Sequence, residues 1–281
     1  MEIFKQIAPL RAFLKDSKKS DGSIGLVPTM GALHNGHLTL IEASKSSNSL
    51  TVASIYVNPT QFNNPDDLRR YPKSLDRDVE LLQMVGCDVV FCPDDTEMYA
   101  SKSTINFDFG PLGEVMEGKF RPGHFNGVAL VVSKLFNIIE PDFAYFGQKD
   151  WQQFAVINKL VDELKFNLRL QSVPIVREPS GLALSSRNFH LTAPQRQNAS
   201  IFHSALQLAA NQLTAGAELK QVKMAVRDLI EKTPEMRLQY FELANRKNLN
   251  IMERVEPSCD LILCIAGFAG EVRLIDNMFL D

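Results

Sequence analysis

Two histidines three residues apart, His34 and His37, stand just beyond the turn Met30-Gly31-Ala32-Leu33, with Asn35 and Gly36 between them. The apolar run Ile24 to Val27 enters this turn and a helix-like pattern leaves it near His37. A strand end passing into a helix N-terminus presents unpaired N–H groups and the positive end of the helix dipole, which together hold an anion such as a phosphate. Glycine lets the backbone approach that anion closely, and imidazoles donate to charged oxygens. The spacing is neither Walker A nor G-x-G-x-x-G. By itself the stretch also fits a structural turn with two surface histidines, or a metal pair at helical spacing.

Three later loops carry further chemistry. Asn58 and Gln61 lie in a polar stretch around Pro59. Their amides donate and accept, which suits a substrate with hydroxyl and carboxylate oxygens, although ordinary turn chemistry also accounts for them. Gly147-Gln148-Lys149-Asp150, followed by Gln152-Gln153, sets a lysine suited to phosphate and an aspartate suited to ribose at a strand-to-helix junction. The plainer readings are a helix N-cap for Asp150 and a solvated charge for Lys149. Arg177 to Asn188 packs Leu184-Ser185-Ser186-Arg187 into a Gly-containing loop, with the donors and mobile positive charge that phosphoryl or nucleotidyl transfer requires.

The elements that must position these loops read as alternating strands and helices. Residues 1–20 have helical spacing closed by Asp21-Gly22. Strands are expected at 24–30, 50–57, 88–92, 142–146 and 168–176, and helices at 37–46, from Ser74 to Gly86, at 123–139 and at 150–164. Residues 93–122 read as an irregular cover, with one alternating piece at 104–109. This order predicts an α/β fold with a doubly wound, mostly parallel Rossmann-like sheet. Ligands then sit outside the carboxyl ends of the strands, where the four loops fall. Beyond residue 178 the texture changes to a long helix at 193–215, another at 219–232 and short strands at 238–243, 261–266 and 271–275. The expected division is residues 1–177 as the nucleotide- and substrate-binding domain and 178–281 as a smaller C-terminal α+β domain closing over the site.

The 281 residues are 45% hydrophobic and 22% charged with a formal net charge of −3, an ordinary globular composition without a basic surface for nucleic acid. The richest apolar run, Val128 to Ile139, is interrupted by Lys134 and too short to span a bilayer. The N-terminal residues lack the pattern of an export signal. Cys87, Cys92, Cys259 and Cys264 form no C-x-x-C and read as buried hydrophobes in a reducing cytosol. A cytoplasmic location, with no membrane or nucleic-acid partner, is the expectation.

Taken together, the His-x-Gly-His turn and the later Ser-Ser-Arg loop resemble the nucleotidyltransferase superfamily that includes class I aminoacyl-tRNA synthetases. Five motifs in order are closer still to the pantothenate synthetase (pantoate–β-alanine ligase) family: Pro28 to His37, Val57 to Phe62, Arg121 to Val128, Phe146 to Gln153, and Gly181 to Asn188. The resemblance implies ATP-dependent condensation of pantoate with β-alanine through a pantoyl adenylate, with Mg²⁺, in a homodimer. It implies that Met30 to His37 (Met30, Gly31, Ala32, Leu33, His34, Asn35, Gly36 and His37) line the ATP site, with His34 and His37 on the phosphates and His37 as general acid. Gln61 and Gln153 hold pantoate with Asn58 nearby, and Gln61 borders the β-alanine position. Gly147, Gln148, Lys149 and Asp150 bind the nucleotide, Val176 meets adenine through its backbone, and Leu184, Ser185, Ser186 and Arg187 close over the triphosphate. The catalytic set so implied is His37, His34, Lys149 and Arg187, and no metal ligand is assigned. Three positions depart from the common pattern: Ser180 in place of Asp, Leu130 in place of Thr, and the acidic pair Asp76 and Asp78 split by Arg77. The nearest rivals are a cytidylyltransferase-like enzyme, which leaves the nucleotide in its product, and a non-catalytic nucleotide sensor.

Overall fold

The computed structural model describes residues 1–18 and 22–280. Its first unit runs β1 (Glu2–Phe4), α1 (Ile7–Lys18), β2 (Ile24–Thr29), α2 (Asn35–Ser47), β3 (Leu50–Ile55), α3 (Pro65–Arg70), α4 (Leu75–Met84), β4 (Val89–Phe91), α5 (Asp95–Met98), α6 (Met116–Phe120), α7 (His124–Ile139), β5 (Phe143–Gly147), α8 (Trp151–Leu164) and β6 (Arg169–Val173). The six strands form one parallel sheet in the order β1-β4-β3-β2-β5-β6. Strands β2 to β5 are buried on both faces, which is why they read as continuous apolar runs. The order reverses between β2 and β5, so the crevice beyond their carboxyl ends is the topological switch point of the sheet.

The second unit comprises α9 (Ala193–Asn198), α10 (Ile201–Thr214), α11 (Leu219–Glu231) and the antiparallel strands β7 (Met236–Asn245), β8 (Leu261–Ala269) and β9 (Val272–Leu280). Strand β8 alternates between two cores. Leu261, Leu263 and Ile265 join α10 and α11, whereas Ile262, Cys264 and Ala266 join the large core built on α7 and α8. Trp151 fastens the same seam: its indole N–H donates to the Arg246 carbonyl at 2.8 Å and its ring packs on Phe279.

Several elements differ from the sequence reading. The first helix begins only at Ile7, because residues 2–4 form an edge strand. Glu2 donates to the Asp88 carbonyl and Cys92 to the Phe4 carbonyl, and three residues are too few to show a period. The expected closure of α1 at Asp21 lies outside the described residues. Helix α2 starts at Asn35, two residues earlier than the apolar pattern suggests. Helix α3 begins at the end of the polar stretch around Pro59 and runs through residues to which the sequence reading assigns no element. It buries no side chain and so has no apolar stripe, and it forms because Asn64 caps the Asp66 N–H and Pro65 occupies its first turn. The 93–122 cover contains α5 and α6 instead of being irregular throughout. The long helix expected at 193–215 is two helices. Ala199, Phe202, Leu206 and Leu213 all face one core, so the apolar spacing runs unbroken across the joint at 199–200.

Candidate active site

A single cleft at the carboxyl ends of β2, β3 and β5 is lined by His34, Gly36 and His37 from the first loop, Asn58 and Gln61 from the second, Gly147, Lys149, Asp150 and Gln153 from the third, and Leu184 to Arg187 from the fourth. Met30 and Val176 also line it. Gly31, Ala32, Leu33, Asn35 and Gln148 do not: Ala32 and Leu33 are the buried part of the turn, and the Gln148 amide donates to Ser172 Oγ at 3.4 Å.

The turn is shaped by a carboxylate from α4. Asp78, 1% exposed, accepts the Ala32 N–H on Oδ2 and the Leu33 N–H on Oδ1, each at 2.8 Å, and Ser74 Oγ donates to Oδ1. Gly31 and Ala32 both adopt positive φ, 78° and 48°, and a Cβ on Gly31 would sit 2.9 Å from Asp78 Oδ2. Helix α2 then opens with His34 at its N-cap.

The two imidazoles stack, with centroids 4.0 Å apart. The His34 backbone N–H points at His37 Nδ1 at 3.3 Å, so neutral His37 carries its proton on Nε2. Burial, then the neighbouring His34 and Lys149, holds His37 well below the ordinary histidine range. Burial, then Lys149, lowers His34 to about 4. Its Nδ1 is buried with no hydrogen-bond partner among the described residues. Two neutral rings beside Lys149 form a donor surface whose net charge comes from the lysine.

Asn58 differs in character from the expected substrate contact. It is 0% exposed, and its amide donates to Gln61 Oε1 (3.2 Å) and the Gly127 carbonyl (3.1 Å) while its oxygen accepts from Thr60 and Tyr99. It shapes the turn that presents Gln61. Helix α7 braces the same turn: a Cβ on Gly127 would lie 2.3 Å from the Thr60 carbonyl oxygen, so only glycine permits this approach. His124 is bonded through Nδ1 to the Gln61 carbonyl (2.8 Å) and through Nε2 to Arg121 (3.0 Å). Arginine only donates, so Nδ1 carries the His124 proton. Burial, then Arg121, pushes this ring down to about 3.

These histidines set an acid limit. In the unfolded chain each ring takes up a proton near pH 6.5, whereas folded His34 resists until about 4 and His124 until about 3. Acid therefore favours the unfolded chain. From about pH 4.5 downward Glu117 adds a loss of the same sign: burial alone would raise its carboxylate, but hydrogen bonds and charge from Arg273, with Arg121, hold it at about 2. Urea unfolding between pH 7.5 and 4.5 is expected to show stability falling steadily below pH 6.5, by up to about 1.4 kcal/mol per pH unit for each ring. A flat profile over that window would show that the rings are solvated.

On the cationic side, Lys149 lies 3.8 Å from Asp150. Arg187 pairs with Asp67 of α3 at 2.9 Å, and Ser186 Oγ donates to the Ala32 carbonyl, tying the fourth loop to the first. The adjacent glutamines divide their work. Gln152 pins the cover by donating to the Leu112 and Val115 carbonyls and accepting the Glu117 N–H, whereas Gln153 lines the cleft. Sequence reasoning does not single out Asp78, His124, Arg273 or Asn277 as site residues. Asp78 has one signal, its place in the acidic pair, but its carboxylate is committed to backbone N–H groups. Among the described residues no group of three or more His, Cys, Asp or Glu is arranged to hold a metal.

A parallel sheet whose switch-point crevice carries a histidine turn, two cations and a set of amides defines a nucleotide-using α/β protein. The sequence profile described as Pantoate-beta-alanine ligase matches residues 2–279. The pantothenate synthetase of Bacteroides thetaiotaomicron is 45% identical over 278 residues, covering 99% of this chain and 98% of that one. The crystal structure of pantothenate synthetase from Thermus thermophilus superimposes with a TM-score of 0.92 at 38% identity, covering 100% of this chain and 99% of that one. A pantoate–β-alanine ligase from Francisella tularensis, described as complexed with Beta-gamma ATP and β-alanine, gives a TM-score of 0.84 at 34% identity, covering 100% of this chain and 98% of that one. The chain belongs to the pantoate–β-alanine ligase family. It is an ATP-dependent ligase that joins pantoate to β-alanine and produces pantothenate. No helix among the described residues is long and apolar enough to cross a membrane.

Proposed function

We propose that the cleft forms pantothenate in two steps. A pantoate carboxylate oxygen attacks the α-phosphorus of ATP, the bond from that phosphorus to the bridging oxygen breaks, and pyrophosphate leaves. The β-alanine amine then attacks the acyl carbon of pantoyl adenylate, loses a proton and expels AMP. The observation that carries this reading is the convergence of all four loops on one crevice, whose lining includes the amides of Asn58, Gln61 and Gln153 and the cations Lys149 and Arg187.

Bringing a carboxylate to a triphosphate opposes two anions, so preorganised donors must offset the repulsion and the charge gathering on pyrophosphate. Lys149 supplies fixed charge, and His34 and His37 supply neutral donors, His37 through Nε2–H. Arg187 exchanges Asp67 for phosphate when the nucleotide binds. Gln61 and Gln153 orient pantoate, and Asn58 holds Gln61. Gln61 also borders the β-alanine position, and that β-alanine is bound by this family is supported by the Francisella tularensis ligase, whose structure is described as a complex with Beta-gamma ATP and β-alanine. Asp150 meets the ribose and Val176 the base, whose edge the Val176 carbonyl serves less readily because it already accepts the Leu184 N–H at 3.0 Å. The mixed anhydride hydrolyses readily, so the second unit, residues 178–281, and the 93–122 cover exclude water.

The donors fit Mg²⁺ carried by the nucleotide. Asp150 is the carboxylate that lines the cleft, and Mg²⁺ keeps waters and phosphate oxygens in preference to an all-protein cage. Asp150 would approach the ion, which would supply positive charge to offset the negative charge of the leaving pyrophosphate. A homodimer and a cytoplasmic location belong to the same proposal.

The test is isotope exchange. Purified protein is expected to exchange labelled pyrophosphate into ATP only when pantoate is present, and to release AMP only when β-alanine is added. Folded protein that binds ATP but shows no pantoate-dependent exchange would exclude the adenylate route.

A further inference from the structure

The two cation-bearing loops meet on a pair of neighbouring residues at the far end of the chain. On β9, Asn277 is buried, and its Nδ2 donates to both the Gln148 and the Lys149 carbonyls, each at 2.8 Å. One amide thus closes the turn that aims Lys149. The residue before it, Asp276, is also buried and binds Arg177 in a bidentate pair, 2.6 Å to Nη1 and 2.9 Å to Nη2. Arg177 Nη1 reaches on to the Gly181 carbonyl at 3.1 Å. This holds the base of the hairpin formed by Leu184 N–H to Val176 O and by Glu178 with Leu182, from which Ser185, Ser186 and Arg187 continue. The Asn277 N–H donates to Asp276 Oδ1 at 2.8 Å, so the two clamps share a carboxylate.

Consecutive strand residues point to opposite sides. Here that alternation lets one short segment hold two separate loops. Neither side chain lines the main cleft, and neither is needed to pair β9 with β8, which runs through the backbone at Cys264–Asn277 and Ile265–Asp276. We propose that Asn277 and Asp276 are positioning residues for adenylation: they set the separation of Lys149 from the loop carrying Arg187, and so the width of the triphosphate clamp. This rests on the assignment of Lys149 to the triphosphate. A misplacement of the order of 1 Å in such a group costs up to about 100-fold in rate.

The experiment measures the two half-reactions separately in Asn277→Ala, Asn277→Asp and Lys149→Ala: pantoate-dependent pyrophosphate exchange, and release of pantothenate from chemically supplied pantoyl adenylate and β-alanine. Asn277→Ala is expected to lower the exchange kcat about 10- to 100-fold while aminolysis changes less than about threefold. Asn277→Asp keeps the shape but turns a donor into an acceptor against two carbonyls, so it should lower exchange at least as much as Ala, with the same split. A residue that only fills space would give the opposite order, Asp mild and Ala severe, and that order overturns the proposal. Equal loss of both half-reactions, tracking a fall in Tm, also overturns it. Lys149→Ala separates the two levels of inference. If it is impaired in exchange while Asn277→Ala and Asn277→Asp are not, only the positioning role fails; if Lys149→Ala exchanges normally, the assignment of the clamp itself fails.

Discussion

Lys149→Ala is expected to lower pantoate-dependent pyrophosphate exchange by about 100- to 1,000-fold, the loss usual when one preorganised donor is removed from a developing anion. Stability should change by no more than about 1 kcal/mol. Among the described residues the charged partner of its ammonium is Asp150 at 3.8 Å, and a pair that loose contributes little to folding. The effect should fall on kcat for adenylation more than on the KM for pantoate, whose contacts are assigned to Gln61 and Gln153. It should fall less on aminolysis, where AMP leaves and no pyrophosphate charge accumulates. Removing the lysine also lifts the positive charge that helps depress His34 and His37, so both rings become easier to protonate. The acid limb of the exchange profile should therefore move to higher pH in the variant. Stopped-assay exchange kinetics across pH 5 to 8, with urea unfolding as the control for folding, check all of these. Parallel loss of activity and stability would make Lys149 a structural residue.

The sequence carried the loops well and the supports poorly, for a physical reason. Strands β2 and β3 are covered on both faces, and unbroken apolar runs announce them. Glycine before a histidine pair at a strand end announces an anion-binding turn. These signals are local. The groups that hold the loops act across the fold: Asp78 reaches back 46 residues to Ala32, and Asn277 reaches back 128 to Lys149. A buried carboxylate on backbone N–H groups and a surface aspartate look alike in a sequence. Asn58 makes the same point from the other side: its residue type fits a ligand contact and ordinary turn chemistry alike, and only its four partners show that the turn takes up both ends of the amide. The seam between the units was hidden because β8 buries both faces, and two-sided burial erases the alternation that marks a strand lying on a single core.

Asp78 offers the sharpest test of that dependence on distant support. Its carboxylate satisfies two buried N–H groups in a turn with two successive positive φ angles, Gly31 and Ala32. In Asp78→Ala both N–H groups lose their acceptor, at about 1–3 kcal/mol each, so the protein should be destabilised by roughly 2–6 kcal/mol. Asp78→Asn keeps one acceptor and turns an amide N–H₂ toward the other N–H, so its stability should lie between those of Ala and the parent. Unlike Lys149→Ala, both variants should lose activity and stability together, because the turn that fails is the one that launches α2 and sets the stacked His34 and His37. ATP affinity, read by calorimetry at a temperature where all three proteins are folded, should follow the same order, parent above Asn above Ala. Were Asp78 instead a magnesium ligand, stability without nucleotide would be unchanged or raised by either substitution, and the loss would appear only in Mg²⁺-dependent turnover. Chemical denaturation of the nucleotide-free protein decides between the two: a marked loss of stability in Asp78→Ala establishes the carboxylate as the clasp of the histidine turn, and its absence removes Asp78 from that role.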